Sequence, residues 1–317
     1  MTRTRLAPSP TGALHLGNAR TFLVNWLLAR RMGWKILLRI EDLDGPRVKA
    51  GADRDLIDDF QFLGLDWDDG PVYQSARADV YRAAIDSLME HGLAYPCVCS
   101  RREVDLAPSA PHAEDGSAVY PGTCRGKFAS LDGAKRKSGK NPAIRFAAAD
   151  REVAFEDGFA GRQAINVAWR LGDFVIAKAH GLAAYQLAVV VDDLEAGITD
   201  IVRGDDLLES TFRQILLYEA LGAGERIPRF VHLPLVVGQD GRRLAKRHGD
   251  TRVAMYRGLG VRRSRLLGML ARWCGMVDAD EIDHPRDLIE RLDLRTISPS
   301  PIVFTPGDDA WLRQGIG

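Results

Sequence analysis

Residues 2–31 constrain the fold most. They run from a strand-like TRTRLA, through a loop holding Pro8, Pro10, Gly12 and Gly17, into NARTFLVNWLLARR, where Phe22, Leu23, Trp26 and Leu27 recur at helical spacing. The prolines stiffen the loop and the glycines allow close backbone approach. A strand, a glycine-bearing loop and a helix N-terminus together form an anion site, because free backbone N–H groups and the helix dipole favour a phosphate there.

The same alternation continues. KILLRIED (35–42) is a mostly apolar run suited to a buried parallel strand. Residues 53–63 put Leu56, Ile57, Phe60 and Leu63 on one helical face, and 77–91 read as a helix closed by Gly92. This order predicts an α/β fold with a doubly wound parallel sheet, Rossmann-like. The pattern breaks near Tyr95. Residues 96–178 read as an insertion, with a turn-rich PSAPHAEDGSAVYPGT and a basic loop GAKRKSGKNP. Beyond it, YQLAVVVDD (185–193) and ITDIVRG (198–204) read as strands. DDLLESTFRQILLYEALG (205–222) reads as a helix with Asp205 or Asp206 near its N-cap. VHLPLVVGQDGRRLAKRHGD (231–250) reads as a strand, a glycine turn and a basic loop. The expected organisation is a catalytic first half at 1–95, the insertion at 96–178, a catalytic second half at 179–250 and a small helical C-terminal region at 251–317. Ligands of such sheets sit beyond the carboxyl ends of the strands. The opening loop, Glu41–Asp42, Asp192–Asp193 and Arg203 are all expected there.

Bulk properties narrow the function classes. Lys plus Arg number 43 and Asp plus Glu number 43, so nucleic acid has to be met by a local basic patch rather than by net charge. No run of about 18 apolar residues suggests a membrane span, and the N-terminus lacks the apolar core of a secretion signal. Four cysteines do not suggest a disulfide scaffold. The expectation is a soluble cytoplasmic protein, a monomer.

Two stretches carry chemistry. In His15-Leu16-Gly17-Asn18 the imidazole and the carboxamide stand about one turn apart and can both face a phosphate, although a polar loop ending in a helix cap would look the same. Arg243-Leu244-Ala245-Lys246-Arg247 presents three cations beside His248. Such a loop can stabilise charge developing on a polyphosphate, or simply be solvated.

Taken together, the pair resembles the two signatures of class I aminoacyl-tRNA synthetases. The surrounding motifs, RLAPSPTGALHLGNART, LLRIEDLD, VVVDD, IVRGDDL and LPLVVGQDGRRLAKR, resemble the glutamyl branch over about residues 1–250. The resemblance implies ATP-dependent activation of L-glutamate to glutamyl-adenylate, with Mg²⁺ accompanying ATP. It implies catalytic roles for His15, Asn18 and Lys246, and ATP binding by His15, Gly17, Asn18, Arg243 and Lys246. The second signature usually opens with lysine and has serine before its key lysine. Here these positions are Arg243 and Ala245, a change expected to slow activation rather than abolish it.

Charge logic and resemblance meet at the amino acid. Glutamate carries two carboxylates and one ammonium. Arg5 and Arg203 can fork onto carboxylates, Glu41 can take the ammonium, and Tyr185 and Ser9 offer hydroxyls. The resemblance implies glutamate binding by Arg5, Leu6, Ala7, Pro8, Ser9, Glu41, Tyr185 and Arg203.

The chain ends at Gly317, soon after the basic loop. This resembles the shortened members of the branch, the glutamyl-Q tRNA(Asp) synthetases. They attach glutamate to queuosine in the anticodon of tRNA(Asp), and form the adenylate without tRNA. Alternatives are a shortened glutamyl-tRNA synthetase charging a 3′ end, a non-catalytic paralogue, or another nucleotidyltransferase. Cys97, Cys99 and Cys124 with Tyr120 form a Cys-x-Cys…Tyr-x-x-x-Cys set. The cysteines alone suit either tetrahedral Zn²⁺ or three unrelated thiols. The resemblance implies one structural Zn²⁺ on all four. Cys274 is expected to be a buried lone thiol, and the charges at 135–140 and 262–265 to be solvated.

Overall fold

The computed structural model describes residues 1–10, 13–43, 48–105, 119–242, 244 and 250–314. Its centre is a run of parallel strands. The first three, β1 (Arg3–Leu6), β2 (Lys35–Ile40) and β3 (Asp69–Tyr73), pair in that order. β9 (Asp200–Gly204) and β10 (Arg229–Leu233) form a second parallel pair. The two sets meet at the β1 edge, where the Arg3 carbonyl accepts from the Thr199 backbone N–H at 2.9 Å.

Alternation along β2 shows why helices cover both faces. Ile36, Leu38 and Ile40 enter one core with α1 (Leu16–Met32), α2 (Ala52–Leu63) and α10 (Arg263–Arg272). Leu37 enters the other with α3 (Ala78–Glu90), α7 (Tyr185–Glu195) and α8 (Leu208–Ala220). A strand buried on both sides between helices is the doubly wound arrangement. Cys274, just after α10, is fully buried in the first core.

The 96–178 segment is more structured than its composition suggests. β4 (Ala94–Cys97), β5 (Ala143–Phe146) and β8 (Phe174–Ala177) make an antiparallel sheet. β6 (Glu152–Asp157) and β7 (Gly161–Asn166) make a hairpin whose end, Asp157, pairs with Phe230 of β10. The expected basic loop at 133–142 contains most of helix α5 (Leu131–Ser138). Ser130 caps it by accepting from the Gly133 N–H at 3.1 Å, and Gly139 ends it. Its lysines and arginine point to water, so no apolar period marks it.

Two further expectations are corrected. YQLAVVVDD is not a strand but α7, in which Leu187 to Asp193 are all buried. A helix enclosed on every side shows no polar stripe, and a continuous apolar run cannot then be told from a buried strand. Asp205 and Asp206 do not cap α8. They form a short 3₁₀ turn with Leu207, which is the cap residue and makes no side-chain bond. Among the described residues no helix is long and apolar enough to cross a membrane.

Candidate active site

A cavity of about 550 Å³ opens beyond the carboxyl ends of β1 and β9. Arg5, Ala7, Pro8 and Ser9 from the first strand and loop line it, with Glu41 after β2, Tyr185 at the start of α7 and Arg203 on β9. His15, Gly17 and Asn18 line the same cavity. The opening loop, Glu41 and Arg203 therefore meet as expected, whereas Asp42, Asp192 and Asp193 do not line the cavity. Leu6 does not join them. The strand alternates, so Arg5 faces the cavity side while Leu6 is buried in the apolar core. Leu244 also lines the cavity, whereas Arg243 and Lys246 lie outside the described residues.

At the α1 end, His15 is the N-cap residue with extended backbone, and its side chain does not cap the helix. The imidazole Nδ1 instead meets Thr251 Oγ1 at 3.1 Å, and the Leu16 N–H donates to the Thr251 carbonyl at 3.0 Å. The chain leaving the basic loop is thus fastened to the helix N-terminus. Gly17 packs closely, since a Cβ there would lie 3.2 Å from Val236 Cβ.

At the other end the charges form a network. Arg39 is completely buried on β2. Its guanidinium reaches Asp193 at 2.5 Å, Glu41 at 3.0 Å and Asp192 at 3.9 Å. Asp193 also faces Arg5 at 3.5 Å. Asp192 accepts from Gln74 at 2.7 Å, Arg77 at 2.6 Å and Tyr81 at 2.9 Å. The acidic pair expected at a strand end therefore sits on a helix and is occupied in holding arginines. Burial pushes the Glu41 carboxyl up, against the pull of Arg39 and Arg5. Burial likewise raises the Tyr185 phenol, with Glu41 adding and Arg203 opposing, so its hydroxyl stays a donor. Burial and then Arg5 lower the Arg203 guanidinium, while Tyr185, Asp193 and Glu41 raise it.

Arg203 donates through Nε to His232 Nε2 at 3.0 Å and through Nη2 to Thr211 and Gln214, both at 2.8 Å. Its Nη1 is buried without a hydrogen-bond partner among the described residues. A buried, unsatisfied guanidinium nitrogen on a cavity wall suits a ligand carboxylate.

These features agree with what the chain is similar to. Residues 1–305 match the family described as tRNA synthetases class I (E and Q), catalytic domain. The chain belongs to that family. This synthetase is 47% identical over 321 residues, 98% of each chain, to the glutamyl-Q tRNA(Asp) synthetase of Symbiobacterium thermophilum. It is 42% identical to the protein of that name from Nitratidesulfovibrio vulgaris, over 97% of each chain. It is 41% identical to the glutamate–tRNA ligase of Geobacter sulfurreducens over 98% of this chain and 65% of that one. Among solved structures, the glutamate tRNA ligase of Elizabethkingia meningosepticum in complex with its amino acid aligns with a TM-score of 0.79 at 28% identity. That alignment covers 99% of this chain and 69% of the other.

A second candidate centre lies away from the cavity. Cys97 ends β4, and Cys99 and Cys124 converge with it so that the three sulfurs lie within 4.8 Å of one another. The Tyr120 hydroxyl lies 3.4 Å from Cys97 Sγ and 3.6 Å from Cys99 Sγ. Tetrahedral Zn²⁺ with bonds of about 2.3 Å sets sulfurs roughly 3.8 Å apart, so the donor set and spacing fit. Arg145 sits beside it, with Nε 3.3 Å from Cys97 Sγ and its guanidinium 3.9 Å over the Tyr120 ring.

Reading the sequence residue by residue missed Arg39, Asp157 and His232 as parts of the site. A signal existed for Arg39, a charge inside an otherwise apolar strand.

Proposed function

We propose that this synthetase activates L-glutamate with ATP and transfers it to queuosine in the anticodon of tRNA(Asp). The observation carrying the amino-acid reading is Arg203 Nη1, without a hydrogen-bond partner among the described residues, on a cavity wall shared with Arg5 and Glu41. Two arginines there answer two carboxylates, and Glu41 answers the ammonium. Aspartate, too short to span the site, or glutamine, lacking the second charge, would leave a buried arginine unsatisfied.

ATP, brought with Mg²⁺ on its phosphates, lies over His15, Gly17 and Asn18, with Lys246 and Arg243 closing from the basic loop. The glutamate α-carboxylate attacks the α-phosphorus, and pyrophosphate leaves. A hydroxyl of the queuosine cyclopentenediol then attacks the acyl carbon, releasing AMP. The cavity's contribution is positioning and charge stabilisation. The acceptor reading is supported by the names of relatives that align end to end at 42–47% identity. The Geobacter relative, at 41%, favours a second reading in which the acceptor is a tRNA 3′ end.

Cys97, Cys99, Tyr120 and Cys124 would hold one Zn²⁺. When bound, it supplies folding energy to a segment whose apolar cluster is small.

Glutamate-dependent pyrophosphate exchange without tRNA tests the activation step. Glutamate should support exchange, aspartate and glutamine should not, and Lys246→Ala should abolish it. Equal exchange with glutamine, or none with glutamate, would contradict the reading.

A further inference from the structure

Behind Arg203 lies a buried chain of groups that does not touch the cavity. Asp157 Oδ1 accepts three backbone N–H groups, from Phe159 at 2.9 Å, Ala160 at 2.8 Å and His232 at 3.1 Å. Its Oδ2 lies 2.6 Å from His232 Nδ1. His232, 1% exposed on β10, turns Nε2 to Arg203 Nε at 3.0 Å and to Thr211 Oγ1 at 3.1 Å. An arginine Nε can only donate, so His232 Nε2 accepts and the ring proton resides on Nδ1, facing Asp157. With Nε held by His232 and Nη2 by Thr211 and Gln214, only Nη1 is left without a partner among the described residues.

We infer that the Asp157–His232 pair is a positioning device that fixes the orientation of the Arg203 guanidinium, and thereby sets affinity for the substrate carboxylate. This rests on the assignment of Arg203 to glutamate. The β6–β7 hairpin acquires a purpose as well, because the 152–166 segment reaches the back of the amino-acid site through Asp157, with Phe155 packed on His232 and the Gly158 N–H bonded to the Phe230 carbonyl beside it.

Asp157→Asn is the decisive variant because it is isosteric. Three backbone donors hold the remaining Oδ1, so the new NH₂ faces His232 Nδ1. The imidazole must then move its proton to Nε2, where it meets Arg203 Nε–H. In pyrophosphate exchange with the full chain, the glutamate KM should rise about tenfold, the loss of one charge-assisted hydrogen bond. The ATP KM and the rate at saturating glutamate should stay within about threefold of the unchanged protein. His232→Gln places an acceptor towards Arg203 and should recover most of the affinity; His232→Leu should not. Arg203→Met separates the two levels. If it leaves the glutamate KM unchanged, the assignment of Arg203 fails. If it raises the KM while Asp157→Asn does not, the positioning role fails. If the role is real, Asp157→Asn adds nothing in the Arg203→Met background. Equal added losses in both backgrounds, or losses falling on rate and ATP KM alike, would mark Asp157 as merely structural and overturn the inference.

Discussion

The amino-acid end of the cavity and the cysteine–tyrosine cluster both bury polar groups, but they balance them differently. At the cavity and behind it, Arg5, Arg39, Glu41, Asp192 and Asp193 come from three distant segments between two large cores, and each charge meets an opposite one. The cluster draws four donors from residues 97–124, supported by a small group of apolar side chains, and its sulfurs chiefly face one another. The first arrangement pairs its own charges, and beside it Arg203 keeps Nη1 without a partner among the described residues, ready for an anion. The second gathers anion-forming donors and calls for a cation. A buried polar cluster is thus read by what its members still lack.

On the proposed zinc assignment, chelation should separate the two regions most sharply, since structural zinc is worth on the order of 10 kcal/mol at neutral pH. Removing the ion should collapse hydrogen-exchange protection in 95–104 and 119–128 while the amides of α7 and β9 stay protected. A uniform loss would erase the distinction. Arg39→Met attacks the other side. It leaves Glu41 and Asp193 buried without their strongest partner, and the denaturant midpoint should report about 3–5 kcal/mol of lost stability with metal content unchanged.

Glu41→Gln should be felt in binding. Loss of the ammonium partner predicts about a 100-fold fall in kcat/KM for glutamate, from one buried charge-assisted contact. A fall below threefold would move the ammonium elsewhere.

Asp59 offers the smallest effect and an intermediate case. It is fully buried on α2, and Arg257, at 3.6 Å, is the cation facing it. Burial raises its carboxyl from 3.8 to about 6, with Arg257 opposing. The folded state therefore prefers the protonated form. Its contribution is most favourable below pH 3.8, declines as pH rises through about 6, and is then constant. Asp59→Asn should stabilise the protein above pH 6 by on the order of 2 kcal/mol, an advantage that vanishes near pH 4. Equal stabilisation at both pH values would show that the carboxyl titrates alike in the folded and unfolded chains, so that burial does not raise it.

Legibility followed the same divide between local and assembled features. The opening strand, loop and helix were readable because glycine, proline and apolar spacing act within a few residues. The meeting of Arg5, Glu41 and Arg203 followed from the rule that parallel strands present their carboxyl ends to ligands. α7 was not readable as a helix, because burial on every side removes the polar stripe that reveals one. Asp157 and His232 stand 75 positions apart, one of them in a segment that composition marks as an insertion, so only the fold brings them together. The roles of Arg243 and Lys246 still rest on their motif.

The acceptor is the central claim of the proposed function. Incubating the protein with ATP, labelled glutamate and tRNA(Asp), with or without queuosine, and locating the label by periodate sensitivity and nuclease digestion, tests it directly. Label in the anticodon of the queuosine-containing tRNA alone is the predicted result. Label at the 3′ end of tRNA(Glu), with none at queuosine, would contradict it.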